Sequence, residues 1–312
     1  MKVQVPFVAN ISAPEATDWL QALEAAMPEA EFVPFESLNT AKGHKTAVVA
    51  NPDPSAIKAL PDLVWVQSLW AGVEKLLHEP ALDGVGISRL VDPALATTMA
   101  EAVLAWTLYL HRDMPDYKVQ QNKKRWQQLP YVPAAKRRVG ILGLGKLGEV
   151  AAKALVHTGF DVMGWSRQEK KIVGVRCFSG PESLPRMISQ SDILVCLLPL
   201  TPATRSLVGE ALFTKMPQGS ALINFGRGPI IDTAALLHAL DNGSLNHAVL
   251  DVFDQEPLEE NSPLWHHPKI TVLPHISAPT TLETAAKITC ENLRTYFSTG
   301  ETPQLVSRAT GY

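Results

Sequence analysis

Apolar residues along the chain recur in two ways, as short continuous runs and as longer segments with an apolar position every third or fourth residue. Runs of the first kind at 3–8, 46–50, 63–68 and 85–90 predict strands. Between the first two, residues 16–27 keep Trp19, Leu20, Leu23 and Ala26 on one face, the spacing of an amphipathic helix. A longer helical stretch covers 96–112, with Met99, Ala102, Val103, Ala105, Trp106 and Leu110. Residues 117–131, rich in Gln, Lys and Trp, read as a crossover from one body to the next. From there the alternation is regular. Strand-like runs fall at 139–142, 161–165, 192–198, 220–225, 248–253 and 270–273, with helical runs such as 182–189, 210–216 and 233–241 between them. Gly243 stands just past the last of these helices, where a C-terminus favours glycine. Such β–α alternation predicts an α/β chain in which parallel sheets are flanked by helices. The six later strands predict a doubly wound sheet of the dinucleotide-binding type. A final helix over 281–298 is expected to return to the N-terminal body. The expected domains are then 1–97 with 284–312, and an inserted 98–283, with the catalytic cleft between them.

Length agrees with two bodies, since 312 residues exceed what one hydrophobic core usually serves. A hydrophobic content of 46% with 19% charged residues excludes a disordered chain. The formal charge of −3 leaves no footprint for nucleic acid or an anionic membrane. Cys177, Cys196 and Cys290 are far apart, which suits neither a disulfide framework nor a metal site and fits a reducing compartment. The N-terminal run is too short and broken for a secretory signal, and no run reaches the ~18 apolar residues of a membrane span. The expectation is a cytoplasmic protein.

The most informative stretch is Val139-Gly140-Ile141-Leu142-Gly143-Leu144-Gly145-Lys146-Leu147-Gly148. A buried strand runs into Gly143, Gly145 and Gly148 in G-x-G-x-x-G spacing, and helical periodicity follows. The first glycine allows the tight turn, the second lets a pyrophosphate approach, and the third lets helix and strand pack. The helix N-terminus then offers N–H donors to phosphate. The next strand ends Trp165-Ser166-Arg167-Gln168-Glu169-Lys170, with no acid at its tip to take the ribose hydroxyls. Ser166 can donate a hydrogen bond, Arg167 can grip a 2′-phosphate and Lys170 adds a point charge, so NADP(H) is expected over NAD(H). An exposed basic turn is the plainer alternative.

Three later strand ends each carry one reactive residue. Arg227 lies in Gly226-Arg227-Gly228, Glu256 in Asp254-Gln255-Glu256-Pro257, and His275 in Pro274-His275-Ile276-Ser277-Ala278. Ligands of open parallel sheets bind outside the carboxyl ends of the strands. Reduction of a carbonyl needs a proton donor of near-neutral pKa, which suits histidine, and a carboxylate beside it would orient the ring. An arginine there can hold the carboxylate and carbonyl oxygen of a 2-oxo acid. His266 and His267 are rival candidates for the acid. In the N-terminal part, Ser68-Leu69-Trp70-Ala71-Gly72-Val73 follows a strand and can present backbone N–H groups to an anion, or be a plain β–α turn.

Taken together, these motifs resemble the D-isomer-specific 2-hydroxyacid dehydrogenase family along essentially the whole chain, in particular its bacterial glyoxylate/hydroxypyruvate reductases of type A. Leu69-Trp70-Ala71-Gly72-Val73, Gln120-Gln121-Asn122 with Trp126, Trp165-Ser166-Arg167, Ser262-Pro263-Leu264-Trp265 and Gly311-Tyr312 carry the subgroup likeness. The resemblance implies a flavodoxin-like substrate domain and a Rossmann-type cofactor domain. It implies His275 as acid/base, Glu256 as its partner and Arg227 as a substrate ligand. Trp70 and the backbone of Ala71, Gly72 and Val73 would seat the substrate. Lys146, Leu147, Leu198, Pro199 and Asp251 would line the cofactor beside the three glycines. A homodimer is implied too, with 96–106 and 117–126 as candidate interfaces, the first of which reads equally well as a buried helix within its own domain. One departure is Phe225-Gly226, where relatives carry a small or aliphatic residue followed by Ala, Thr or Ser. A glycine there removes a side-chain restraint next to Arg227.

The expected activity is NADPH-dependent reduction of glyoxylate and hydroxypyruvate, with hinge closure excluding water. The same chemistry on a bulkier acid such as phenylpyruvate is one alternative, which Trp70 would decide by narrowing the pocket. A non-catalytic NADP(H) sensor on the same fold is another. Formate oxidation, which needs no proton at a substrate oxygen, fits the three residues less well.

Overall fold

The computed structural model describes residues 2–311. Met1 and Tyr312 lie outside the described residues, and with Tyr312 the last member of the terminal Gly311-Tyr312 likeness. The chain divides into two compact units, Met1–Ala94 with Thr280–Tyr312, and Leu95–Pro279. No helix among the described residues is long and apolar enough to cross a membrane.

The first unit contains β1 (Val3–Ala9), α1 (Ala13–Ala26), β2 (Ala30–Pro34), β3 (Thr46–Ala50), α2 (Pro54–Lys58), β4 (Trp65–Ser68), α3 (Glu74–Leu77) and β5 (Gly86–Ser88). Its five strands are parallel and ordered β2-β1-β3-β4-β5, the flavodoxin-like arrangement. Helix α1 begins where Ser12 Oγ accepts a hydrogen bond from the Glu15 N–H, with a proline in the first turn. It buries Trp19 and Leu23, two of the residues that share its apolar face. Every residue of β3 is buried, which explains its unbroken apolar run. Strand β2 has no counterpart in the sequence reading. It is five residues long, ends in Pro34 and lies at the sheet edge, where proline is tolerated but the strand signal is weak.

The second unit begins within α4 (Pro93–His111) and continues with α5 (Met114–Asn122), β6 (Arg138–Leu142), α6 (Lys146–His157), β7 (Asp161–Ser166), β8 (Val175–Ser179), α7 (Leu184–Ile188) and β9 (Ile193–Cys196). It then runs through α8 (Glu210–Phe213), β10 (Ser220–Asn224), α9 (Thr233–Asp241), β11 (Leu245–Leu250) and β12 (Ile270–Val272). The chain ends in α10 (Leu282–Thr299) and a tail, both in the first unit. The second sheet has seven parallel strands, ordered β12-β11-β10-β9-β6-β7-β8, rather than the expected six. The additional strand is β8, an edge strand with no fully buried residue, so its sequence has no apolar run to reveal it. Strand β11 also starts earlier than 248, because Leu245 and His247 are buried on either side of the polar Asn246.

Local interactions set where these strands begin. Arg138 grips Asp192 through two nitrogens, at 2.7 and 3.2 Å, while its own N–H donates to the same carboxylate. The starts of β6 and β9 are thereby held side by side. Helix α10 buries Ala285, Ala286, Cys290 and Leu293 in the core that holds Trp19 and Leu23 of α1. It ends at Gly300 in the left-handed conformation, φ 74°.

Candidate active site

The glycine turn lies where β6 passes into α6. Gly143 has φ +103°, and its N–H donates to the Trp165 carbonyl at 2.9 Å, which seats the turn beside the end of β7. A Cβ on Gly148 would strike the Gly143 carbonyl oxygen, whereas one on Gly145 would meet only open space. The third glycine thus serves packing and the second leaves room above the backbone. No side chain caps α6, so its first N–H groups are available to an anion, with Lys146 exposed and Leu147 partly buried in that turn. This donor set fits a dinucleotide pyrophosphate.

At the tip of β7, Arg167 and Lys170 are exposed. Ser166 departs from the simple expectation: its hydroxyl donates to the Gln168 carbonyl at 2.7 Å, so the proton is used inside the turn and the oxygen is left as an acceptor. After β9, the Leu197–Leu198 backbone passes between two glycines. A Cβ on Gly143 would meet the Leu197 oxygen at 2.9 Å, and one on Gly226 would meet the Leu198 oxygen at 2.7 Å. Leu198 is buried and Pro199 partly so.

Because β10 pairs with β11 and β11 with β12, the loops carrying Arg227, Glu256 and His275 leave one edge side by side. His275 Nδ1 lies 2.7 Å from Glu256 Oε2, and the other Glu256 oxygen accepts the Phe253 N–H at 3.0 Å. A carboxylate oxygen beside Nδ1 favours the tautomer that carries its proton there, which leaves Nε2 as the second ring nitrogen for exchange. His275 adopts φ 54°, an unusual conformation for a residue with a Cβ. Asp251 supports it. Its carbonyl accepts the His275 N–H at 3.0 Å, and its two carboxylate oxygens accept those of Ile276 at 2.7 Å and Ser277 at 2.9 Å. Asp251 is 2% exposed, so these bonds form away from water. The structure therefore places this residue, read as a cofactor contact, under the histidine loop. Of the rival histidines, His267 pairs with Asp241 at 3.2 Å, and neither it nor His266 contacts the Glu256 carboxylate.

Arg227 stands between two glycines that both press on backbone. A Cβ on Gly228 would overlap the Phe253 carbonyl, and Gly226 lies against Leu198. Gly226 thus marks close packing rather than a loosened loop, which corrects the sequence reading of that departure. Asn224, missed in the sequence, is 1% exposed and bridges the loop: its Nδ2 donates to the Arg227 carbonyl at 3.1 Å and its Oδ1 accepts the Gly226 N–H at 3.2 Å. A polar residue directly after the apolar run 221–223 was its signal. The Arg227 guanidinium donates to the Gly226 carbonyl at 2.7 Å.

In the first unit, β4 ends at Ser68, whose Oγ accepts the Trp70 N–H at 3.0 Å and turns the chain. The Trp70 ring stands edge-on to Trp19, with centroids 5.7 Å apart, so one side of the indole belongs to that unit's core. Beyond it the N–H groups of Ala71, Gly72 and Val73 have no hydrogen-bond acceptor among the described residues.

Comparison with known proteins places these features in one family. Residues 104–277 match the family model described as D-isomer specific 2-hydroxyacid dehydrogenase, NAD binding domain. A D-isomer specific 2-hydroxyacid dehydrogenase from Xanthobacter autotrophicus Py2, solved with NADPH and MES, is 36% identical over 100% of both chains, with a TM-score of 0.94. An NADPH-dependent glyoxylate/hydroxypyruvate reductase from Sinorhizobium meliloti, solved with NADP and sulfate, is 34% identical over 100% of both chains, with a TM-score of 0.92. A probable 2-hydroxyacid dehydrogenase from Rhizobium etli CFN 42, with NADP, HEPES and L(+)-tartaric acid, is 32% identical over 99% of this chain and 100% of its own, with a TM-score of 0.89. The chain belongs to the D-isomer-specific 2-hydroxyacid dehydrogenase family.

Proposed function

We propose that the protein uses NADPH to reduce small 2-oxo acids, glyoxylate to glycolate and hydroxypyruvate to D-glycerate. The reading rests on the 2.7 Å contact of His275 Nδ1 with Glu256, at the sheet edge that also carries Arg227. Glu256 fixes the ring so that Nε2 delivers its proton to the substrate's 2-oxygen, and Arg227 draws off the negative charge developing on that oxygen. NADPH, when bound, supplies the hydride equivalent. Gly143, Gly145, Gly148 and the first turn of α6, including Lys146 and Leu147, take its pyrophosphate, and Leu198 and Pro199 border it. Arg167 and Lys170 take the 2′-phosphate, with the Ser166 turn shaping the tip. The choice of NADPH is supported by the acid-free β7 tip and by the NADP(H) ligands of three similar proteins. Asp251 sets the histidine loop. In the first unit, the amides of Ala71, Gly72 and Val73 with Trp70 beside them seat the substrate. Three free cysteines suit the reducing cytoplasm.

The protein acts as a homodimer in this reading, through the 117–126 segment, in which Tyr117 and Val119 of α5 are exposed and Trp126 beyond it is 100% exposed. Light scattering should give a dimer mass that Trp126→Ala lowers.

Oxidation of NADPH or NADH, followed by near-ultraviolet absorbance with glyoxylate, hydroxypyruvate, pyruvate and phenylpyruvate in turn, tests the whole. Activity on the first two with NADPH, and much less with NADH, is expected. Activity confined to phenylpyruvate would retain the mechanism and discard the substrate. Silence with all four despite NADPH binding would replace the enzyme by a sensor.

A further inference from the structure

The carboxyl edge of the first unit's sheet holds a cation with no role in the scheme above. Arg89 directly follows β5 and is half-buried. Its neighbour Leu90 donates an N–H to the Trp70 carbonyl at 3.0 Å, which ties this stretch to the 70–73 loop. Among the described residues no carbonyl, hydroxyl or carboxylate accepts a hydrogen bond from the Arg89 guanidinium. The charge facing it is that of Glu74 at the start of α3, and burial pushes the guanidinium below its ordinary pKa. A guanidinium has five donors in a fixed fork and keeps its charge, so removing it from water without an acceptor is unfavourable. The same edge carries the three N–H groups of Ala71, Gly72 and Val73, also without acceptors among the described residues. Four donor groups, one of them charged, thus lie at the same carboxyl edge, where ligands of open α/β sheets bind, and among the described residues none has a hydrogen-bond acceptor. A bound anion would supply those bonds beside the single charge of Glu74.

We propose that Arg89 is a further substrate-binding residue, whose guanidinium joins the amides of Ala71, Gly72 and Val73 in holding the carboxylate of the 2-oxo acid. The proposal rests on the reductase reading. A charge-assisted fork favours a planar carboxylate over a neutral ester or amide at that end.

Arg89→Met and Arg89→Lys test it, with steady-state kinetics on glyoxylate and hydroxypyruvate. Calorimetric titration of oxalate, an unreactive planar anion, into the NADP-loaded protein gives a readout that needs no turnover. NADPH affinity and the thermal midpoint are the controls. Losing a charge-assisted hydrogen bond should raise KM and weaken oxalate by roughly 10- to 100-fold in Arg89→Met, while kcat falls far less. Arg89→Lys should restore part of both, and NADPH affinity should hold. Unchanged KM and oxalate affinity in Arg89→Met would overturn the proposal. So would equal losses of oxalate and NADPH affinity with a lowered midpoint in both variants, the mark of a structural arginine. A wild-type protein inactive on every 2-oxo acid would sink the reductase reading instead. Oxalate binding lost in Arg89→Met would in that event still establish the anion site.

Discussion

The two sheets end their strands in opposite conditions. At the edge of the second unit, the polar groups of the histidine loop have partners within the protein. Asp251 takes two amides on its carboxylate and one on its carbonyl, Glu256 takes one amide and the ring, and Asn224 bridges the Arg227 loop. At the edge of the first unit, Ser68 fixes the turn, but the amides of Ala71, Gly72 and Val73 and the Arg89 guanidinium lack acceptors among the described residues. A proton donor must be aimed before the substrate arrives, because a misdirected ring loses the transition state it serves. A ligand-binding edge gains by leaving donors unanswered, because the ligand then supplies the bonds. The first unit's edge, with donors unanswered among the described residues, is the one that meets the requirement of the proposed anion site.

The sharpest way to break the contrast is His275→Ala. It should lower kcat by roughly 10²- to 10⁴-fold while NADPH affinity, measured by fluorescence, is retained. A variant with normal kcat and lost NADPH affinity would move His275 from chemistry to cofactor binding.

Asp251→Asn asks whether the satisfied edge depends on its buried carboxylate. An amide offers one acceptor oxygen, and its NH2 would face the Ile276 or Ser277 N–H, donor against donor. Denaturant unfolding should show a loss of about 1–3 kcal/mol, and kcat should fall as the His275 loop relaxes. Full stability with full activity would show that the loop holds its shape without the carboxylate.

The smallest effect is a control remote from both edges. His247 in β11 is 5% exposed, bonds Thr271 Oγ1 at 2.9 Å, and has its pKa pushed down to about 4, chiefly by burial. In the unfolded chain it titrates near ~6.5. Between these values the unfolded chain binds a proton that the native protein refuses, so stability falls as pH drops from about 6.5 towards 4 and is unaffected above that window. By about pH 5 the loss from this one group approaches ~2 kcal/mol. The thermal midpoint of His247→Gln should therefore decline less on acidification than that of the wild type. An identical decline would assign acid lability to other groups.

Several features were legible because they are local. The strand, glycine turn and helix from Val139 onward are encoded within a dozen residues, and so is the amphipathic face of α1. The fold class followed from the alternation of such segments. Strands β2 and β8 were not legible, because each is a five-residue edge strand without a continuous apolar run: Glu31 interrupts β2 and Pro34 closes it, and β8 has no fully buried residue. Gly226 was misread for a related reason. The freedom a glycine offers is visible in sequence, but the Leu198 backbone pressing on it belongs to a loop 28 residues away.

The sequence by itself determined the two parallel α/β bodies, the phosphate-ready turn, and the types of side chain at three successive strand ends. These depend on periodicity and on the backbone requirements of single residues. Only the tertiary structure decided which groups meet: His275 with Glu256 across 19 positions, and Asp251 with the amides of Ile276 and Ser277 across 25 and 26. It also decided which donors near Arg89 and Gly72 stay unanswered among the described residues. A hydrogen bond depends on distances of a few tenths of an ångström and on direction. Residue order carries neither until neighbouring strands are set in register.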